Sequence, residues 1–236
     1  MNVAVIQFPG SNCDRDAYHA FAGILGCPTR IVWHKETSLG DADLVVIPGG
    51  FSFGDYLRCG AIARFSPIMP AVQDFAGRGG LVLGICNGFQ ILCETGLLPG
   101  ALIRNDCLEF RCEVVDLSVE EADACFSRQT LGERLRLPVA HGEGNYRIDE
   151  EGLAQLKMNG QILFRYADST TRCYGSGNPN GSIDNIAGIR NKAGNVFGMM
   201  PHPERAVEPI HPNQDGIPVL RAILAESDRL SRREVS

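Results

Sequence analysis

The stretch Leu81-Val-Leu-Gly84-Ile85-Cys86-Asn87-Gly88-Phe89-Gln90 decides the fold. Its first five residues read as a buried strand, which runs directly into a G-x-C-x-G turn and then into a helix. This is a nucleophile elbow with cysteine in place of serine: side chains two residues before and after the nucleophile would collide in so tight a turn, so both places are glycine. The strained corner projects the Cys86 sulfur at the C-terminal edge of a sheet, where the following helix turns its N-terminal dipole and free N–H groups toward it. Both favour the thiolate, the reactive form of a thiol.

Outward from the elbow, Val3 to Phe8, Thr29 to His34 and Leu44 to Pro48 are further short, β-branched runs bounded by Gly, Pro or Asp. Helical spacing lies between them: one helix begins near Asn12 or Asp14, presents Ala17, Phe21, Ile24 and Leu25 and ends at Gly26, and another from Pro67 to Arg78 buries Ile68, Val72 and Phe75. Such alternation predicts an α/β fold, a mostly parallel central sheet with helices on both faces. After Gly100 the pattern changes. Leu108, Phe110, Cys112 and Val114 alternate with charged residues, the period-two mark of a half-buried antiparallel strand with those four residues inward. An antiparallel portion is therefore added to the parallel one. Asp149 to Asn159 reads as a short helix, Thr170 to Asp184 as a loop, Ile186 to Ile189 and Val196 to Met200 as a hairpin, and Gly216 to Leu230 as a closing helix. With no repeat, low-complexity tract or long linker, residues 1–236 are expected to form a single domain.

Composition excludes several classes of function. The 236 residues are 44% hydrophobic and 21% charged, ordinary globular values that exclude disorder. The net charge is −6 and no Lys/Arg run exceeds two residues, so a general grip on nucleic acid is not expected. Neither a signal peptide nor an apolar run of membrane-spanning length is found, and a soluble, cytoplasmic chain with reduced thiols is expected. The nine cysteines (13, 27, 59, 86, 93, 107, 112, 125 and 173) are odd in number and scattered, with no C-x-x-C and no histidine at finger spacing. No disulfide framework and no metal site is expected, and all but Cys86 read as small packed hydrophobes.

A thiol that attacks a carbonyl needs a base, and the base needs an orienting acceptor. Met199-Met-Pro201-His202-Pro203-Glu204 offers both just after a predicted strand, where an extended segment lets His202 and Glu204 lean to the same side. Alone, it could equally be a proline-rich turn with an incidental histidine. His19, His34 and His211 read as surface or packing residues. For an oxyanion hole, the strand ending in Pro48-Gly49-Gly50 offers the Gly50 N–H, to be paired with the Asn87 N–H. Gly175 to Gly181 is no phosphate loop, because Asn180 breaks the G-x-G-x-x-G pattern and no helix follows; the N-x-S at Asn180 is discounted as well.

P-G-G, G-x-C-x-G-x-Q and H-P-E, in that order and spacing, resemble the class I (triad) glutamine amidotransferases. Longer stretches, Pro9 to Asp14, Pro48 to Arg64, Cys86 to Gln90, Pro138 to Tyr146 and Gly198 to Ala206, resemble the family of small glutaminase subunits of phosphoribosylformylglycinamidine synthase. The likeness spans nearly the whole chain and is weakest at Ser118 to Arg136, Thr170 to Gly177 and beyond Leu230. It implies the flavodoxin-like architecture of class I amidotransferases and hydrolysis of L-glutamine to glutamate and ammonia. The partners it implies are a large ATP-dependent synthetase subunit and a small bridging subunit, which convert formylglycinamide ribonucleotide to formylglycinamidine ribonucleotide in purine synthesis. No cofactor is then expected in this chain; ATP and Mg²⁺ are expected on the synthetase. By the same resemblance Cys86 is the nucleophile, His202 the general base and acid, and Glu204 its orienting residue. Gln90 helps hold the substrate, and His141, Gly142 and Gly144 lie in the segment that passes beside it.

Two other classes share such an elbow: cysteine peptidases or other amide hydrolases, and non-enzymatic proteins whose cysteine senses oxidation. The H-P-E after a strand argues against both, since those relatives usually place the histidine directly after the nucleophile, where this chain has Asn87.

Overall fold

The computed structural model describes residues 1–167 and 177–233, with side chains described as far as 227. Its strands are β1 Val3–Gln7, β2 Thr29–Trp33, β3 Leu44–Ile47, β4 Leu81–Ile85, β5 Ala101–Ile103, β6 Arg111–Val119, β7 Arg134–His141, β8 Asn145–Arg147, β9 Ile162–Tyr166, β10 Ile186–Arg190 and β11 Val196–Met199. Nine of them form one mixed sheet in the order β2-β1-β3-β4-β11-β10-β9-β6-β7. Neighbours from β2 to β11 are parallel, and those from β11 to β7 antiparallel. The three central parallel strands β3, β4 and β11 are buried at every residue, as unalternating sequences such as Leu44-Val-Val-Ile47 require of strands covered on both faces. In-register pairing of Ile47 with Gly84 and of Met199 with Ile85 sets the C-terminal ends of these strands side by side. Pro48-Gly49-Gly50, Cys86 and the segment leading to His202 thus leave the sheet at one edge.

The helices are α1 Asp14–His19, α2 Met69–Gly77, α3 Asn87–Glu94, α4 Arg128–Leu131, α5 Glu150–Met158 and α6 Gly216–Arg233. The first differs from the single helix expected up to Gly26: it widens into a π-helical turn over Ala20–Ile24, closed by Leu25 N–H donating to Ala20 O at 3.0 Å. Ala17, Ala20 and Phe21 remain fully buried through the change. α2 starts at Met69, two residues later than expected, with Pro70 in its first turn, where a missing N–H costs nothing. Asp149, where the expected helix begins, caps α5, accepting from Gly152 N–H at 2.8 Å. No helix among the described residues is long and apolar enough to cross a membrane.

The antiparallel strand after Gly100 exists, but in the opposite phase. Leu108 and Phe110 are exposed at 67% and 52%, Cys112 is exposed, and the buried row is Val115, Leu117 and Val119. The apparent alternation from 108 spans a turn: Leu108 takes φ +59° and its N–H donates to Asn105 O at 2.9 Å, so the strand begins only at Arg111. Its pleat is then set by β7, whose buried Leu137 and Leu135 lie opposite Val115 and Leu117. The hairpin of β10 and β11 forms as read, its turn closed by the Asn191 carboxamide accepting from the N–H groups of Gly194, Asn195 and Val196. Of the loop read over Thr170 to Asp184, residues 170–176, with Cys173, lie outside the described residues, as does the tail from 234. A two-stranded sheet of β5 and β8 went unread because each strand has three residues.

Candidate active site

Cys86 stands at the end of β4 with φ +51° and ψ −105°, a conformation costing roughly 1–3 kcal/mol for a residue with a side chain. Both flanking glycines are sterically required. A Cβ on Gly84 would lie 2.7 Å from the backbone of Gly88, and one on Gly88 would run into the Ile47 carbonyl oxygen. Since that obstacle is backbone of the adjacent central strand, Gly88→Ala is expected to destabilise the chain by about 3 kcal/mol or more. Urea unfolding measures this, and a change within about 0.5 kcal/mol would show that the turn does not bind α3 to β3 as described.

Cys86 N–H donates to Met199 O at 2.8 Å, and the His202 N–H donates to Pro138 O at 2.8 Å, so backbone bonds fix both residues. His202 is extended, with φ −102° and ψ 90°, and Pro203–Arg205 then forms a 3₁₀ turn rather than continuing extended. The turn swings the carboxylate back beneath the ring: Glu204 Oε1 lies 2.6 Å from His202 Nδ1, with both residues at most 2% exposed. Burial works against a charge on His202, but the Glu204 carboxylate and then Cys86 favour it strongly enough to hold the imidazole well above the ordinary histidine range. With Nδ1 engaged by the carboxylate, the buried ring also lies within reach of the Cys86 and Cys13 thiols. The ring's approach depends on Gly49, whose Cβ would fall 2.7 Å from His202 Cε1 and 3.4 Å from Cys86 Cβ.

Gly50 follows at φ +136°, where a Cβ would strike the backbone of Ser11 and Asn12 at 2.7–2.8 Å. Asn87 is the first residue of α3, so its N–H has no intrahelical acceptor. Its side chain ties the loop above the site, accepting from Ser52 N–H at 3.2 Å and donating to Gln90 Oε1 at 2.9 Å. Gln90 in turn donates to Glu143 O at 2.7 Å, so both ends of its amide are committed within the protein, and it reaches the 141–146 segment rather than open space. His141 is buried at 3% and its imidazole is pushed down to about 4 by that burial. A Cβ on Gly144 would lie 2.6 Å from His141 Nδ1, whereas one on Gly142 meets only Phe110 at 3.7 Å. Gly144 is thus sterically obligatory and Gly142 is not.

Sequence reading passed over several residues here. Cys13, taken as a packed hydrophobe, is 2% exposed and lies beside His202; its Sγ accepts from Arg205 Nη2 at 3.1 Å and donates to Asn12 Oδ1 at 3.1 Å. One donor atom each from Cys13, His202 and Glu204 lies within 4.8 Å of the others, a trio that could hold a metal ion, although Glu204 is already bonded to the histidine. Asn105, Asn180 and Ser182, all at most 3% exposed, bond to the 141–146 segment. A signal for Cys13 was available, since Pro9 to Asp14 was among the stretches carrying the resemblance; Asn105 and Asn180 sit in irregular loops without periodicity. Among the other histidines, His19 meets Glu208 at the surface at 2.9 Å and His34 packs edge-on to Phe53. Phe53 faces inward, while Tyr56 and Leu57 of the same loop are 74% and 93% exposed.

Residues 1–216 match the CobB/CobQ-like glutamine amidotransferase domain. The chain is 60% identical over 225 residues to the phosphoribosylformylglycinamidine synthase subunit PurQ of Synechococcus elongatus, covering 95% of this chain and 98% of that one. To the same-named subunit of Moorella thermoacetica it is 56% identical over 225 residues, 95% of either chain. Among solved structures, that of PurLQS from Thermotoga maritima matches with a TM-score of 0.80 and 43% identity, over 95% of this chain and 98% of that chain.

Proposed function

Because the chain belongs to the CobB/CobQ-like glutamine amidotransferase family, we propose that it is the glutamine-hydrolysing subunit of a phosphoribosylformylglycinamidine synthase, releasing ammonia for the ATP-dependent step of purine biosynthesis. The observation that carries this reading is Cys86 on a strained elbow beside a buried His202–Glu204 pair. In the forward direction the Cys86 proton passes to His202 and the sulfur adds to the side-chain carbonyl of glutamine. The negative oxygen so formed is received by the N–H groups of Gly50 and Asn87. His202 returns its proton to the nitrogen as the C–N bond breaks, ammonia leaves and a γ-glutamyl thioester remains. Water then attacks the thioester with His202 as base, glutamate departs and the Cys86 thiol is restored. Throughout, Glu204 stabilises the imidazolium and holds the ring so that Nε2 faces the reaction.

Gln90 and the backbone of His141, Gly142 and Gly144 shape the glutamine site on this reading. The acceptor amide is activated with ATP and Mg²⁺ on a large synthetase partner, with a small bridging subunit completing the complex in the cytoplasm. A glutamine-like electrophile should label Cys86 before any other thiol. Cys13, also beside His202, is the sternest rival, but burial raises its thiol, as it raises those of Cys59 and Cys93. Peptide mapping after limited labelling reads the order, and prior modification of Cys13 would relocate the nucleophile.

A further inference from the structure

Asn180, which breaks a phosphate-loop pattern in the sequence, occupies in the fold a polar cradle beside His141. Its carboxamide orientation is fixed, because Oδ1 accepts from the Ser182 backbone N–H at 3.0 Å and from Ser182 Oγ at 2.7 Å. The other end must therefore be the NH₂ group, which lies 3.1 Å from Tyr166 Oη and 3.4 Å from His141 Nε2. An amide nitrogen only donates, so His141 Nε2 has to be the bare, accepting nitrogen, and the ring proton must reside on Nδ1. That Nδ1–H is then left to the backbone carbonyl of His141 itself, sealed from solvent beside Gly144. Ser182 extends the cradle: its Oγ accepts from Tyr146 N–H at 3.0 Å and lies 3.2 Å from Gly144 O. Asn105 closes it from the other side, donating to His141 O and accepting from Gly144 N–H, both at 2.9 Å.

We propose that Asn180 is a positioning residue for glutamine hydrolysis: it fixes His141 as the Nδ1–H tautomer, whose proton serves the His141 carbonyl, and, through Ser182, the backbone of Gly144 to Tyr146, so that this segment meets the substrate amino acid in one preset shape. The inference rests on the reading of the 141–146 segment as the wall of the glutamine site. Few charged groups compete for the ring. His202 faces it from the catalytic turn, Tyr166 shares its Asn180 partner from β9, Glu143 turns to Cys59 N–H at 3.3 Å, and Asp106 is engaged by Asn145 and Arg147. Burial keeps His141 neutral above about pH 4, so the wild-type tautomer is unchanging across the working range.

Asn180→Asp tests this with almost no change of shape, since one carboxylate oxygen can still accept from Ser182. The new carboxylate cannot donate to Nε2, so a neutral His141 must turn its proton to Nε2, leaving Nδ1 bare. A neighbouring negative charge also favours the imidazolium, moving its titration up toward the ordinary histidine range of about 6.5. Below that transition both nitrogens carry protons and the Nδ1–H returns. In the complex with its synthetase partner, the ratio of the variant's KM for glutamine to the wild type's should be about tenfold at high pH and fall toward unity as pH drops through the transition. A merely structural role would give a ratio independent of pH. ¹⁵N-histidine NMR of the wild-type chain, which needs no variant, should show His141 protonated at Nδ1 and bare at Nε2. A wild-type Nε2–H tautomer, or a pH-independent ratio in a glutamine-active complex, overturns the role of Asn180. A wild-type complex that does not hydrolyse glutamine overturns instead the reading on which it rests.

Discussion

Replacing Cys86 by alanine should lower glutamine-dependent synthesis by the assembled complex roughly a thousandfold or more, yet spare synthesis driven by ammonium salt at raised pH, where more of the nitrogen is free ammonia. On the proposed mechanism the sulfur is the atom that bonds to the substrate carbon. Cys13, its nearest rival at His202, is held by Arg205 and Asn12. The fold should tolerate the loss. The elbow is set by Gly84 and Gly88 and by the Cys86 N–H bond to Met199 O, none of which the substitution touches, and alanine suffers at φ +51° about as cysteine does. The variant should therefore still assemble, which sizing of the complex verifies. Loss of the ammonia-driven rate in proportion to the glutamine-driven rate would mean that Cys86 takes part in the synthetase step, and the division of labour proposed above would be wrong.

His202→Ala should cost the glutaminase roughly tens of times more than Glu204→Gln, and the double variant should be little worse than His202→Ala alone. On the proposed mechanism His202 moves the protons in both halves of the reaction, whereas Glu204, 2.6 Å from Nδ1, orients the ring and supports its charge. A glutamine side chain in place of Glu204 keeps an oxygen to accept from Nδ1–H but gives up the negative charge that raises the imidazole, so base strength falls while geometry survives. Once the imidazole is gone, the carboxylate has nothing to orient. Kinetics of the three variants in complex decide it. A double variant far below His202→Ala would show Glu204 acting independently of the histidine, and the pair would not be one unit.

How far the site was legible depended on the range of the interactions that build it. Gly84, Cys86 and Gly88 could be read because an elbow is a local steric problem, solved within five residues of sequence. His202 and Glu204 could be read for a similar reason: two residues apart, they needed only a bend of the chain to meet. The part played by Gly49 could not, because the group that excludes a Cβ there is an imidazole some 150 residues further along the chain. Gln90 was legible as a position but not as a contact, since its partner, the carbonyl of Glu143, is brought near only by the folding of the antiparallel half.

By itself, the sequence determined that this chain is built on a covered parallel sheet with a cysteine at one strand's end and a histidine–carboxylate pair after another. Those conclusions rest on backbone sterics and on hydrophobic runs without alternation, both of which act within a few residues. Only the tertiary structure decided that β11 lies beside β4, which carries His202 to Cys86, because strand order is set by the packing of whole elements. It also decided the phase of β6, where the row of Val115, Leu117 and Val119 is turned inward by Leu135 and Leu137 of β7 against the local alternation. The roles of Cys13 and Asn180 belong to the same category. A buried polar group must find its partners wherever the fold places them, and those partners, Arg205 for one and His141 for the other, are distant in sequence.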